Sequence, residues 1–237
     1  MLRGRSHYSA PMKLVDPRVA LLAGATGLVG RALLPMLLES LHYARVHALV
    51  RRPVSGLPAH PKLDVQVVDF ARLPALPAVD DAYIALGTTI GVAGSQEAFR
   101  AVDFDAVANT AKAARQAGAR RVLVVSALGA DAGSRVFYNR VKGEMQAAVA
   151  GLGYESVVLA QPSLLIGDRA ALGQPTRRGE VWAERLLRPV MGLVPRGMRP
   201  IAAADVAAAL ISAALDSPPG VRVLRSGAMQ GAATRAG

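Results

Sequence analysis

The chain contains no cysteine, which removes disulfides, zinc–thiolate centres and thiol catalysis at once. Aromatic residues make up only 4% of it, so few rings are available for stacking on nucleic-acid bases. Its histidines, His7, His42, His47 and His60, stand apart from one another without metal-ligand spacing and read as surface or packing residues. No apolar run reaches the roughly 18 residues that crossing a bilayer demands. Residues 1–8 are basic but lack the apolar stretch of a secretory signal, so the default expectation is a cytoplasmic protein.

What is present is a large apolar fraction. Hydrophobic residues are 52% of the 237 and charged ones 19%, enough for a sizeable core and too apolar for general disorder. The net charge is +11, from 28 Lys and Arg against 17 Asp and Glu. These basic residues are scattered rather than gathered into a stripe. The charge therefore reads as surface character plus local contacts to phosphate, and no nucleic-acid partner is expected.

The chain is organised around residues 19–30, VALLAGATGLVG. An apolar run, 19–23, suits a strand buried on both faces. Gly24, Gly27 and Gly30 follow, and then a leucine stripe at helical spacing, Leu33, Leu37 and Leu41. Strand, glycine turn and helix form the context in which a glycine motif points to a dinucleotide. The turn lets backbone approach a pyrophosphate, and the unpaired N–H groups of the new helix hold its charge. The spacing is G-x-x-G-x-x-G, one residue from the familiar fingerprint. Thr26, Leu28 and Val29 are expected to line the cofactor with the glycines. The competing reading, a turn that needs glycine only for packing, is the weaker one.

Apolar strands and helical patterns then alternate: strands at 45–50, 63–68, 82–86, 121–125 and 156–160, helices at about 95–117 and 138–150. The longer helix places Val102, Ala106, Thr110, Ala113 and Ala117 on one face. Pro35 is expected to kink the first helix mildly. This alternation predicts an α/β fold, a doubly wound parallel sheet with right-handed crossovers. Residues 1–17 read as a poorly ordered arm, 18–227 as a single Rossmann-type domain, and 228–237 as a loose tail. A further helix at 203–215 and a short strand at 221–224 complete it.

Residue 51 bears on which dinucleotide is bound. An acid about 20 residues past the glycines would bond the ribose 2′-hydroxyl of NAD. Here Arg51, with Arg52 beside it, ends the second strand 21 positions past Gly30. Guanidinium binds a 2′-phosphate in bidentate fashion, so NADP(H) is favoured over NAD(H). Asp69, ending the third strand beside Phe70, can meet the adenine edge or serve as a turn residue.

Ser126, Tyr138 and Lys142 are the catalytic candidates. Tyr138 and Lys142 are four apart and share a helix face. A nearby ammonium favours the phenolate and lowers a tyrosine's pKa, which suits proton transfer to or from a carbonyl oxygen. Ser126 follows the fifth strand at the sheet edge where ligands bind, and its hydroxyl can bond the reacting oxygen.

These residues carry a resemblance. Gly24-Ala-Thr-Gly-Leu-Val-Gly30, Arg51-Arg52, Leu86-Gly-Thr-Thr89, Ser126-Ala-Leu-Gly-Ala-Asp131 and Tyr138-x-x-x-Lys142 together resemble the atypical short-chain dehydrogenase/reductases, in particular their NmrA-like, Tat-interacting-protein-30-type branch. The likeness spans residues 18–224. It implies an NAD(P)(H) cofactor at the glycine turn and Arg51 and Arg52 at the adenosine phosphate. It also implies Leu86, Gly87 and Thr88 near the cofactor ribose, and Tyr138, Lys142 and Pro162 at the nicotinamide end. Where that family often has two serines this chain has Ser126-Ala127, which leaves the role to Ser126.

Residues 163–200 read as a cap over the substrate, with Trp182, Leu186, Leu187, Val190 and Met191 on one face and Arg185 and Arg188 interleaved. The cap is preferred to a peripheral membrane contact of that basic amphipathic segment. An apolar cap suits an apolar carbonyl or a quinone. The resulting expectation is an NADP(H)-binding oxidoreductase acting on a small carbonyl or quinone-like substrate, with Tyr138 as general acid/base. The alternatives are an NADP(H)-sensing regulator that binds a protein partner without turnover, and a nucleotide-sugar epimerase or dehydratase.

Overall fold

A computed structural model describes residues 17–167, 195–217 and 219–236. The strands are β1 (Arg18–Ala23), β2 (Tyr43–Val50), β3 (Leu63–Val67), β4 (Asp81–Ile84), β5 (Arg121–Val125), β6 (Ser156–Gln161), β7 (Leu165–Ile166), β8 (Ile201–Ala202) and β9 (Gly220–Arg225). Seven of them form one parallel sheet in the order β3-β2-β1-β4-β5-β6-β9. The order reverses between β1 and β4, and the crevice beyond their carboxyl ends is where such sheets bind ligands. This is the doubly wound fold that the alternation predicts.

Helix α1 (Leu28–Glu39) buries Val29, Leu33, Leu34, Leu37 and Leu38 against one face of the sheet. There it packs beside α6 (Ala203–Asp216), whose Val206 and Leu210 share the same core. Each fully buried leucine contributes about 1.5–3 kcal/mol, so this stripe is enough to fix the face that the helix turns inward. Pro35 lies inside α1, which continues past it to Glu39.

The opposite face is covered by α4 (Val107–Gln116) and α5 (Phe137–Ala150), which contribute Val107, Ala111, Met145 and Val149 to a second core. Ahead of α4 come α2 (Ile90–Ala93) and α3 (Gln96–Arg100), joined to it by a π-helical turn, Ala101–Ala106. The π turn carries one more residue than an α turn and rotates the buried stripe. The buried residues are Phe99, Asp103, Ala106, Val107, Thr110, Ala111 and Ala114: Ala106 and Thr110 of the expected face are buried, whereas Val102, Ala113 and Ala117 are only partly so.

The expectation for the tail changes. The tail is not loose: α7 (Ser226–Met229) and α8 (Ala232–Ala236) end the described chain, with Met229 buried as an anchor. The Asp205 carboxylate accepts the Ala233 N–H at 3.0 Å. β7 and β8 form a separate two-stranded parallel pair, too short to leave an alternating pattern. The expected cap helix, about 181–194, lies outside the described residues, as do residues 1–16 of the expected arm.

Candidate functional site

The glycine turn is built by contact as well as by flexibility. Gly24 has φ +94°, a region that L side chains avoid, and a Cβ there would stand 2.5 Å from the Ala85 carbonyl oxygen. A Cβ on Gly30 would meet the Gly24 oxygen. Gly27 is different: a Cβ there would reach only ordinary contact, 3.5 Å from the Gly24 oxygen. Its missing side chain leaves the helix mouth open. Gly27 caps α1 without a side-chain bond, and no acid stands in the first turn. Among the described residues the first N–H groups of α1 therefore meet no carboxylate, and they suit an anion. The residues present fit a pyrophosphate. Thr26 lies in this turn with its carbonyl taken by the Arg31 guanidinium at 3.1 Å, and Leu28 and Val29 open the helix.

Arg51 and Arg52 follow β2 at the same edge of the sheet. Both are exposed, and among the described residues neither pairs with a carboxylate. Asp69 is exposed and accepts the Ala71 N–H at 2.9 Å, the geometry of a turn residue. Phe70 turns its ring into the second core and gives its carbonyl to Asn109.

The loop after β4 comes next to the switch point. Leu86 is partly buried, and Gly87 lies where a Cβ would be 3.4 Å from Asp103 Oδ1 and 3.7 Å from Lys142 Nζ. The Thr88 N–H donates to Asp103 Oδ2 at 2.9 Å. Lys142 Nζ stands 2.7 Å from Asp103 Oδ1, with both side chains almost wholly buried.

Tyr138, one turn before Lys142 on α5, packs its ring on Phe99 at 5.3 Å between centroids. Burial, and then the charge of Asp103, push its phenol up to about 12. The expectation that Lys142 lowers this pKa is therefore corrected. The ammonium is engaged by Asp103, and the carboxylate is the charge that acts on the ring.

Ser126 follows β5 and is buried, with its Oγ accepting from Gln146 Nε2 at 2.6 Å. Gln161 Nε2 donates in turn to Gln146 Oε1 at 3.2 Å. Pro162, buried after β6, gives its carbonyl to the Leu128 N–H at 2.9 Å. One edge of the sheet thus gathers the glycine turn, Arg51, the Gly87–Thr88 loop, Ser126 and Pro162, with Tyr138 and Lys142 beside that loop. Two residues at this edge escape the sequence reading, Asp103 and Gln146. Gln146 is four positions past Lys142 and shares its helix face, a signal that was available.

Over residues 24–160 the chain matches a family described as NAD(P)H-binding. It belongs to that family. Its fold is the NAD(P)-binding Rossmann fold that the resemblance implied. The chain is 36% identical over 215 residues to the mitochondrial protein fmp52 of Aspergillus fumigatus, covering 84% of this chain and 90% of that one. An oxidoreductase of the short-chain dehydrogenase/reductase family from Burkholderia thailandensis superposes with a TM-score of 0.64 at 19% identity, over 90% of this chain and 93% of that one. An ADP-L-glycero-D-manno-heptose-6-epimerase from Helicobacter pylori does so at 0.64 and 18% identity, over 90% and 79%. The two structural likenesses concern the fold, which reductases and epimerases share. The relative from Aspergillus fumigatus and counterparts in further fungi, at 34–37% identity, are all named as mitochondrial. That finding overturns the expectation of a cytoplasmic protein, which rested on the absence of cysteine, of a membrane-length apolar run and of a secretory apolar stretch in residues 1–8.

Proposed function

We propose that the chain is an NADP(H)-dependent oxidoreductase that reduces a small carbonyl or quinone-like compound, in a mitochondrial setting like that of its named relatives. The observation that carries the cofactor preference is Arg51, exposed at the end of β2 beside Arg52, with no carboxylate paired to either among the described residues. A free guanidinium pair at this edge attracts a 2′-phosphate, whereas the acid of an NAD site would repel it.

In this reading Gly24, Thr26, Gly27, Leu28, Val29 and Gly30 hold the pyrophosphate, and Leu86, Gly87 and Thr88 border the ribose. Lys142 and Pro162 mark the nicotinamide end. When bound, the reduced nicotinamide supplies a hydride. Tyr138 supplies the proton to the substrate oxygen. Gln146 donates to Ser126 Oγ, which leaves the serine O–H free to donate to the same oxygen. The burial of Phe99 behind the Tyr138 ring keeps the phenol in one place.

The test is a calorimetric titration with NADPH and NADH, run on wild type and Arg51→Ala. A charge-assisted hydrogen bond contributes about 1.5–3 kcal/mol, so the variant should lose about tenfold or more of its NADPH affinity and keep its NADH affinity. Equal affinity for both cofactors in wild type would sink the phosphate argument, and no binding of either would sink the enzyme.

One observation favours a second reading, a sensor of NADP(H) without turnover: Ser126 and Lys142 are both buried and already partnered. Tyr138→Phe separates the two. It should abolish reduction in an enzyme, and leave partner binding intact in a sensor.

A further inference from the structure

Asp103 is a fully buried carboxylate set in the π-helical turn that interrupts the helix between Gln96 and Gln116. Such turns recur at functional sites, because the extra residue re-aims a side chain that regular α geometry would place elsewhere. Here the re-aimed group joins three elements. Its Oδ2 takes the Thr88 N–H at 2.9 Å, and its Oδ1 forms an ion pair with Lys142 Nζ at 2.7 Å. Gly87 leaves just enough room above the pair, since a Cβ there would fall 3.4 Å from Oδ1. Removing either partner would strand a buried charge, so the arrangement is held from both sides.

Tyr138 sits one helical turn from Lys142, a spacing at which an unpaired ammonium would favour the phenolate. Here that ammonium is paired with Asp103. The other charges on these helical segments that stand near α5, Arg100, Glu144 and Arg140, pair among themselves. We propose that Asp103 is a positioning residue: it reserves Lys142 for the Gly87–Thr88 loop and so keeps Tyr138 a phenol, which fits the site to give a proton in reduction rather than to remove one in oxidation. The proposal deepens the oxidoreductase reading and rests on it. In the step concerned, the Tyr138 O–H bond breaks as an O–H bond forms on the substrate oxygen. The hydride that completes the alcohol comes from a reduced nicotinamide, and the phenolate regains its proton from water.

The experiment is an ultraviolet titration of tyrosinate on the full chain, comparing wild type with Asp103→Asn. The Tyr138→Phe form of each is subtracted to isolate Tyr138. Asparagine keeps the size and an acceptor for the Thr88 N–H but leaves Lys142 uncancelled. The Tyr138 midpoint should fall by about one unit or more, and an unchanged or higher midpoint overturns the proposal. Should Asp103→Asn not fold, the double variant Asp103→Asn with Lys142→Met removes both charges together. A midpoint at or below the wild-type value then supports the cancellation, and a rise shows that Lys142 was acting on Tyr138 and overturns it. Where turnover is measured, the alkaline rise of alcohol oxidation should move to lower pH by the same shift. The titration needs neither cofactor nor substrate, so a failure to bind NADPH would sink the oxidoreductase reading without touching this result.

Discussion

A Cβ placed on Gly30 would stand 1.9 Å from the carbonyl oxygen of Gly24, because the third glycine of the turn packs directly on the first. The obstacle is backbone, which cannot swing aside as a side chain would. Gly30→Ala should therefore destabilise the fold by about 1–3 kcal/mol, seen as a fall in Tm of several degrees. Gly27→Ala makes the informative contrast. Its Cβ has room, so the melting curve should stay close to wild type, while NADPH affinity falls by about tenfold or more as the methyl occupies the phosphate's approach. Unchanged affinity in Gly27→Ala would place the phosphate elsewhere.

Gln146 orients the Ser126 hydroxyl at 2.6 Å and is itself oriented by Gln161. Gln146→Leu should lower kcat about tenfold, the equivalent of one hydrogen bond, with the NADPH dissociation constant unchanged. Gln146→Glu should be worse, since a carboxylate would accept the serine proton and withdraw it from the substrate. Steady-state kinetics with a quinone that wild type reduces would check both. A glutamate variant as active as wild type would remove Ser126 from the chemistry.

At the amino edge of the sheet, far along the strands from the glycine turn, Asp81 is fully buried. Its Oδ2 takes the Tyr43 hydroxyl at 2.6 Å and the Arg18 guanidinium at 3.3 Å, and its Oδ1 forms an ion pair with Arg121 at 3.1 Å. Asp81→Asn leaves two guanidinium groups uncompensated and should cost about 3–5 kcal/mol. The measurement is urea unfolding, with a parallel NADPH titration that should not change. A loss of affinity would mean that the two edges are coupled.

Burial raises Tyr43, Tyr83, Tyr138 and Tyr154 above the ordinary tyrosine range. For a group whose folded pKa is raised, the stabilisation is complete below the unfolded value and is lost as pH climbs towards the folded one. Stability attributable to these phenols should thus hold up to about pH 10 and then fall. Each contributes a slope of about 1.4 kcal/mol per pH unit. Urea midpoints at pH 8, 10 and 11, values chosen to bracket the free tyrosine pKa of about 10, give the measurement. Tyr154→Phe, which removes a hydroxyl bonded to the Ala111 carbonyl, should reduce the slope. A flat profile above pH 10 would contradict the burial of the four rings.

Much of this molecule is legible from the residue pattern, for physical reasons that differ by element. The strand at 121–125 matches β5 residue for residue, since its unbroken apolar run is bounded by Arg121 before it and Ser126 after it. Helix ends at Gly118 and Gly151 are marked by the glycines themselves. Tyr138 and Lys142 fall on one helix because their spacing is helical. Asp103 is the instructive omission. An acid in a helix reads as facing solvent, and no local pattern announces a π turn. Yet Phe99, Asp103, Val107 and Ala111 follow one another at intervals of four, and an acid inside that apolar stripe was the visible sign of a buried partner. The consequence of Asp103 was equally hidden: spacing alone could pair Lys142 with Tyr138, but not say which neighbour holds the ammonium.

The small pairing of Leu165–Ile166 with Ile201–Ala202 brings the two ends of the chain between them side by side. Ser163 hydroxyl donates to the Arg199 carbonyl next to it, and Ser226 donates to Ser163, tying this clasp to the segment after β9. These bonds are single side-chain links that one substitution can loosen. The contact of Gly30 on Gly24 is backbone on backbone, and no neighbouring side chain can relieve it.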